Sequence, residues 1–117
     1  MRRKTGAPDC IVVMVTCPSR AVARRLATAV VEQGLAACVN GLPAVESTFR
    51  WQGKVARCRE VLLIIKTTAA RFASLNAAVV SLHPYDVPEV IAVPVSCGHP
   101  PYLRWVASSI ELRGRSR

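Results

Sequence analysis

The stretch LAACVNGLPAVESTFRWQGKVARCREVLLIIKT (residues 35–67) decides the fold. Its first part, Leu35 to Trp51, reads as extended chain, Gln52-Gly53 supplies a tight turn, and KVARCREVLLIIKT (54–67) returns as the second arm of a hairpin. A two-residue loop sets the register, so Glu46 is expected opposite Arg59 and Ser47 opposite Cys58. Pro43 has no N–H for a central ladder, which puts the first arm at a sheet edge or bends it there.

Working outward, each side of the hairpin carries a helix and then a strand. CIVVMVTC (10–17) is a continuous apolar, β-branched run with the length of a buried strand. Ser19 is suited to cap the following helix, in which Val22, Leu26, Ala29 and Val30 recur at helical spacing and Gly34 marks the end. On the other side, Thr68 is placed to cap a helix with the stripe Phe72, Leu75, Val79 and Leu82, and Pro84 stops it. VIAVPV (90–95) is a fourth strand, and YLRWVASSIEL after Pro100-Pro101 is a short terminal helix.

The order β-α-β-β-α-β plus a last helix is that of an α+β, ferredoxin-like sandwich with a long central hairpin. We read one domain over residues 10–112, flanked by basic flexible tails at 1–9 and 113–117. The hairpin arms exceed what the outer strands can cover, and overhanging edges invite pairing with another chain. An oligomer follows from that geometry.

Of the 117 residues, 51% are hydrophobic and 20% charged, which describes a compact globular chain. No apolar run reaches the roughly 20 residues that a membrane span needs, and the short run 11–15 lacks a signal-peptide cleavage pattern, so the cytoplasm is the expected compartment. The net charge of +9 is concentrated at the ends, since Arg2, Arg3, Lys4, Arg113, Arg115 and Arg117 lie in the tails. Between residues 5 and 112 the surplus falls to ten basic against seven acidic residues, and the aromatic strand motif of RNA-binding domains is absent, so nucleic acid is not an expected partner. The five cysteines are odd in number, widely spaced and without a CxxC, which excludes a zinc ribbon of that type. No phosphate loop, HExxH or GxSxG is present, and a non-enzymatic role is expected.

Two sets of residues carry chemistry. Cys38 offers a soft sulfur, Glu60 opens the apolar part of its strand, and His83 follows a helix end, so together they would make a mixed S/N/O set suited to copper. Each also has a plain reading: a packed strand cysteine, a salt-bridged carboxylate and a helix cap. The second set is Trp51, Lys66, Tyr85, Glu89, Tyr102 and Trp105. In HPYDVPEV (83–90), two prolines hold Tyr85, Asp86 and Glu89 in a stiff frame, as the wall of a cleft between subunits would require. There Glu89 is expected near Lys66 or another base, and Tyr85 near Trp51 or Trp105.

The blocks LAACVN, S-x-F-x-W-x-G-K from Ser47 to Lys54, EVLLIIKT, HPYDVPEV and YLRWV (102–106) together resemble the CutA divalent-cation tolerance family over about residues 11–110. The resemblance implies a cytoplasmic ferredoxin-like homotrimer linked to tolerance of copper and other divalent cations, with Cys38 at the position associated with copper. It implies weak binding of copper or another divalent metal ion rather than a tight cofactor site. The family trimer is similar to that of the PII signalling proteins, which implies a second role: a sensor or scaffold whose intersubunit cleft takes a small anionic ligand or a partner protein.

Overall fold

The structure, a computed structural model, describes residues 9–111. The strands β1 (Cys10–Cys17), β2 (Cys38–Trp51), β3 (Lys54–Thr68) and β4 (Val90–Pro94) form one sheet in the order β2-β3-β1-β4, and every neighbouring pair is antiparallel. Helices α1 (Arg20–Glu32) and α2 (Phe72–Leu82) cross between strands, and α3 (Pro100–Glu111) ends the described chain. This is the ferredoxin-like α+β arrangement expected from the sequence. The tail residues 1–8 and 113–117 lie outside the described residues, as does Leu112. Asp9, assigned to a tail by the sequence reading, belongs to the fold: its carbonyl accepts the Ala69 N–H at 2.8 Å.

Alternation sorts the sheet into two faces. Ile11, Val13, Val15 and Cys17 of β1 join Val61, Leu63 and Ile65 of β3 in the core, against Ala23, Leu26 and Val30 of α1 and Leu75 and Val79 of α2. Thr67 is buried on that side and pairs its hydroxyl with the Leu35 carbonyl at 2.6 Å. The opposite face carries Val12, Met14 and Thr16, Leu62, Ile64 and Lys66, and Ile91 and Val93. Those on β1 and β3 are half-buried, and Ile91 and Val93 are 51% and 45% exposed. Among the described residues one end of that face is roofed, where Leu103, Val106 and Ile110 of α3 pack with Cys10, Ala37 and Val95.

The local signals mostly act as expected. Ser19 Oγ accepts the Val22 N–H at 3.2 Å. At the other end of α1, Gly34 has φ +72°, and the bonds from Gly34 N to Val31 O and from Leu35 N to Val30 O close the helix. That closure takes the Leu35 and Ala36 N–H groups to the Val30 carbonyl; Ala37 N–H is the first to reach β3, at the Lys66 carbonyl, and β2 begins at Cys38 rather than Leu35. Thr68 caps no α-helix directly. It precedes a 3-10 turn over Ala69–Arg71, and its side chain makes no capping bond.

The hairpin register is the expected one, with Glu46 opposite Arg59 and Ser47 opposite Cys58. One extra residue enters β2 between Leu42 and Val45, beside Pro43, and Ala44 takes φ +61° there. The first arm is therefore both an edge strand and a bent one. Residues 54–60 of β3 pair with β2 alone, because β1 stops at the Cys17–Val61 rung. This overhang stretches the molecule to 48 × 34 × 22 Å.

The turn carries avoidable strain. Gln52 and Gly53 have φ +51° and +78°, as a type I′ turn requires, yet glutamine enters the left-handed region at a cost that asparagine largely escapes. Gln52→Asn is expected to raise stability by about 0.5–1 kcal/mol, read as a higher urea midpoint at unchanged slope.

Candidate functional site

The loop after α2 is anchored from below by His83. His83 is 7% exposed; Nε2 donates to the Thr16 carbonyl at 2.8 Å, and Nδ1 accepts the Tyr85 N–H at 3.1 Å. A carbonyl only accepts and an amide only donates, so these partners fix a neutral ring with its proton on Nε2. Both nitrogens are committed, and His83 acts here as a clip rather than an open ligand.

The clip aims Tyr85. Its ring lies 4.7 Å from that of His83, and its hydroxyl donates to Glu60 Oε2 at 2.9 Å. Glu60 is 8% exposed, and its partner is this phenol rather than the cation expected in a salt bridge. Burial, and after it the hydrogen bond to Glu60 and the Glu60 charge, push the Tyr85 hydroxyl up to about 12. The phenol therefore stays a donor at neutral pH. Burial and then Glu60 also push the Cys17 thiol up to about 11, and the same two causes raise Cys58. Neither thiol is a ready thiolate near pH 7.

The Cys17 shift sets a pH dependence. The folded chain keeps a proton that the unfolded chain loses near pH 9, so the stabilisation is present below pH 9 and lost as the pH rises towards 11. For a fully buried thiol this amounts to roughly 2–3 kcal/mol. Cys17→Ala should shrink the fall in unfolding free energy between pH 8.5 and 11 by about that amount. An unchanged fall in urea titrations would remove this thiol from the account.

Around this couple lies an open cavity of about 980 Å³, lined by Thr16, Ser47, Thr48, Phe49, Trp51, Ala56, Glu60, Tyr85, Asp86, Val87 and Glu89. The hairpin overhang supplies one wall and the loop 83–89 the other. Trp51, Tyr85 and Glu89 of the expected cleft set all line this cavity.

The other three members do not. Lys66 sits on the Val12–Cys38 rung and bonds the side-chain oxygen of Asn40. Glu89 precedes Val90, which pairs with Val15, so the expected Glu89–Lys66 pair is separated by about four residues of strand, roughly 13 Å. Tyr102 and Trp105 stack with ring centroids 5.7 Å apart on α3, at the Lys66 end. Burial, and then Cys38 and Cys10, raise the Tyr102 hydroxyl there. Tyr85 thus lines the same cavity as Trp51, although Trp51 pairs with Lys54, six residues along β3 from Glu60, and Trp105 lines no part of it.

The metal set divides in the same way. Cys38 faces Lys66, six residues along β3 from Glu60, a separation of about 20 Å. Glu60 and His83 share Tyr85, but Cys38 stands apart, and no group of three metal-type side chains converges among the described residues. Cys17, Cys38, Cys58 and Cys97 form no disulfide among the described residues.

Phe49 and Ser47 were missed as lining residues, although period-2 alternation from Trp51 points to both. The Glu60–Tyr85 bond spans 25 positions and has no sequence signal.

Comparison with known proteins agrees with this architecture. The family model described as CutA1 divalent ion tolerance protein matches residues 11–109. The protein CutA of Mus musculus is 52% identical over 97 residues, covering 83% of this chain but 55% of the mouse protein. The divalent-cation tolerance protein CutA of Thermus thermophilus is 50% identical over 95 residues, covering 81% of this chain and 92% of its own. The solved CutA1 of Oryza sativa superposes with a TM-score of 0.87 at 43% identity, over 94% of this chain and 98% of that one. With its sheet order, hairpin and motif blocks all in place, the chain belongs to the CutA1 divalent ion tolerance family.

Proposed function

We propose that the chain works as a homotrimer in the cytoplasm and contributes to tolerance of divalent cations, binding copper or a similar ion weakly and carrying out no reaction. The observation that supports the assembly is the uncovered sheet face. Among the described residues, Leu62, Ile64, Met14, Ile91 and Val93 form an apolar surface roofed at one end, beside a hairpin whose first arm, β2, has an unpaired outer edge. A second copy can supply both apolar cover and strand partners. Among the described residues no helix is long and apolar enough to cross a membrane.

The ligand-type side chains argue for weak metal binding. Cys38 occupies one end of the sheet face, while Glu60 and His83 occupy the other, and one nitrogen of His83 would have to leave its present partner. Under reducing conditions, copper titration of wild type, Cys38→Ser, Glu60→Gln and His83→Ala is the direct test. We expect Cys38→Ser to lower affinity most, because its sulfur is the softest half-exposed donor. Equal affinity in all four proteins would move the metal elsewhere.

The cavity favours a second reading, a PII-like sensor or scaffold with a ligand cleft. Its charge favours only part of that reading. Glu60, Asp86 and Glu89 line it and no described lining residue is basic, which opposes an anionic ligand.

A further inference from the structure

We propose that the cavity under the hairpin receives a nitrogen cation, an ammonium or guanidinium group from outside the chain that meets the Glu60 carboxylate. This rests on the cleft reading and fixes the chemical class of the occupant.

Glu60 is nine-tenths buried in the cavity wall and accepts the Tyr85 hydroxyl, and no lysine or arginine lies in ion-pair reach of it among the described residues. A carboxylate withdrawn from water gains a hydrogen bond from a phenol but no counter-charge, and a cation arriving in the cavity supplies one. The walls suit such a guest. Phe49, Trp51 and Tyr85 present aromatic surface, which attracts organic cations over the ring faces. Asp86 and Glu89 add negative charge at the exposed rim. An anion finds no basic residue among the described lining residues. A divalent metal finds no trio of ligands, since both nitrogens of His83 are engaged and the nearby thiols hold their protons.

The cation can come from a free organic amine or from a lysine of a neighbouring copy, because the cavity opens on the same sheet face as the proposed interface. Indole N–H spectra separate these sources, with Trp51→Phe identifying the Trp51 resonance beside that of Trp105. Agmatine chloride should shift Trp51 saturably at millimolar concentrations, adipate at matched ionic strength should not, and Glu60→Gln should weaken binding about tenfold or more. The rim variant Glu89→Gln, exposed and outside the core, should weaken it about two- to fivefold and serves if Glu60→Gln does not fold. Carbodiimide treatment reads the other source. An amide linking Glu60 to a lysine of a second chain, absent in Glu60→Gln, shows that a neighbour fills the cavity, and agmatine then gives no shift. Neither an agmatine shift nor a Glu60-linked chain pair, or an equal response to adipate, overturns the proposal. Sedimentation of the same samples reports assembly separately, so a saturable shift in a monomer keeps the cation site and removes the trimer.

Discussion

Ile64→Asp is expected to leave a folded chain that sediments as a monomer. Ile64 lies in the middle of the uncovered face, paired with Met14 on β1 and Asn40 on β2, and is half-buried in a single chain. Water still reaches that position in the monomer, so an aspartate there can remain hydrated and the fold should hold. In an assembly that covers the face, the same carboxylate loses its water and gains no cation. Removing one partner of a buried charge costs about 3–5 kcal/mol, and a trimer would bear the equivalent cost at three sites. Each 1.4 kcal/mol is a factor of ten in affinity, so dissociation should be complete at micromolar concentration. Val31→Asp is the matched control, because Val31 is 43% exposed on α1, away from the sheet face. It should leave the assembly unchanged. If Ile64→Asp sediments like wild type, the chains associate through another surface.

His83→Ala should lower stability by about 2–4 kcal/mol even in protein freed of metal by chelation. The substitution strips a partner from the Thr16 carbonyl and another from the Tyr85 N–H, and each unpaired group costs about 1–3 kcal/mol where water cannot replace the partner. It also removes the ring that packs 4.7 Å from Tyr85, so the hydroxyl bond to Glu60 should loosen as well. His99, which is exposed, provides the control, and His99→Ala should fall within about 0.5 kcal/mol of wild type. A loss in His83→Ala that appears only when metal is present would mean that the imidazole serves as a ligand and the clip is secondary.

Much of the fold was legible because its determinants are local. The Gln52-Gly53 turn specifies the Glu46–Arg59 register, the continuous apolar runs mark β1 and the second half of β3 as central strands, and Ser19 and Gly34 bound α1. The start of β2 was misplaced by three residues because a helix-closing motif competes with the ladder for Leu35 and Ala36. Thr68 was given a capping role that the 3-10 turn after it takes over.

The site was legible only in parts. The stiffness of HPYDVPEV follows from its prolines, and its Tyr85 and Glu89 do line a cavity with Trp51. Which residues meet across the sheet depends on strand order and stagger, and these set Lys66, Tyr102 and Trp105 at the opposite end from Glu60. The same stagger separates Cys38 from Glu60 and His83. Residue type identified candidate ligands correctly as chemistry, but sequence spacing holds no information on a 20 Å displacement along β3.

Native mass spectrometry of untagged protein, purified without added metal, tests the central claim most directly. The account predicts a species of about 38 kDa, three times the 12.7 kDa of one chain, persisting on dilution to low micromolar concentration. A 12.7 kDa monomer at every concentration would contradict it.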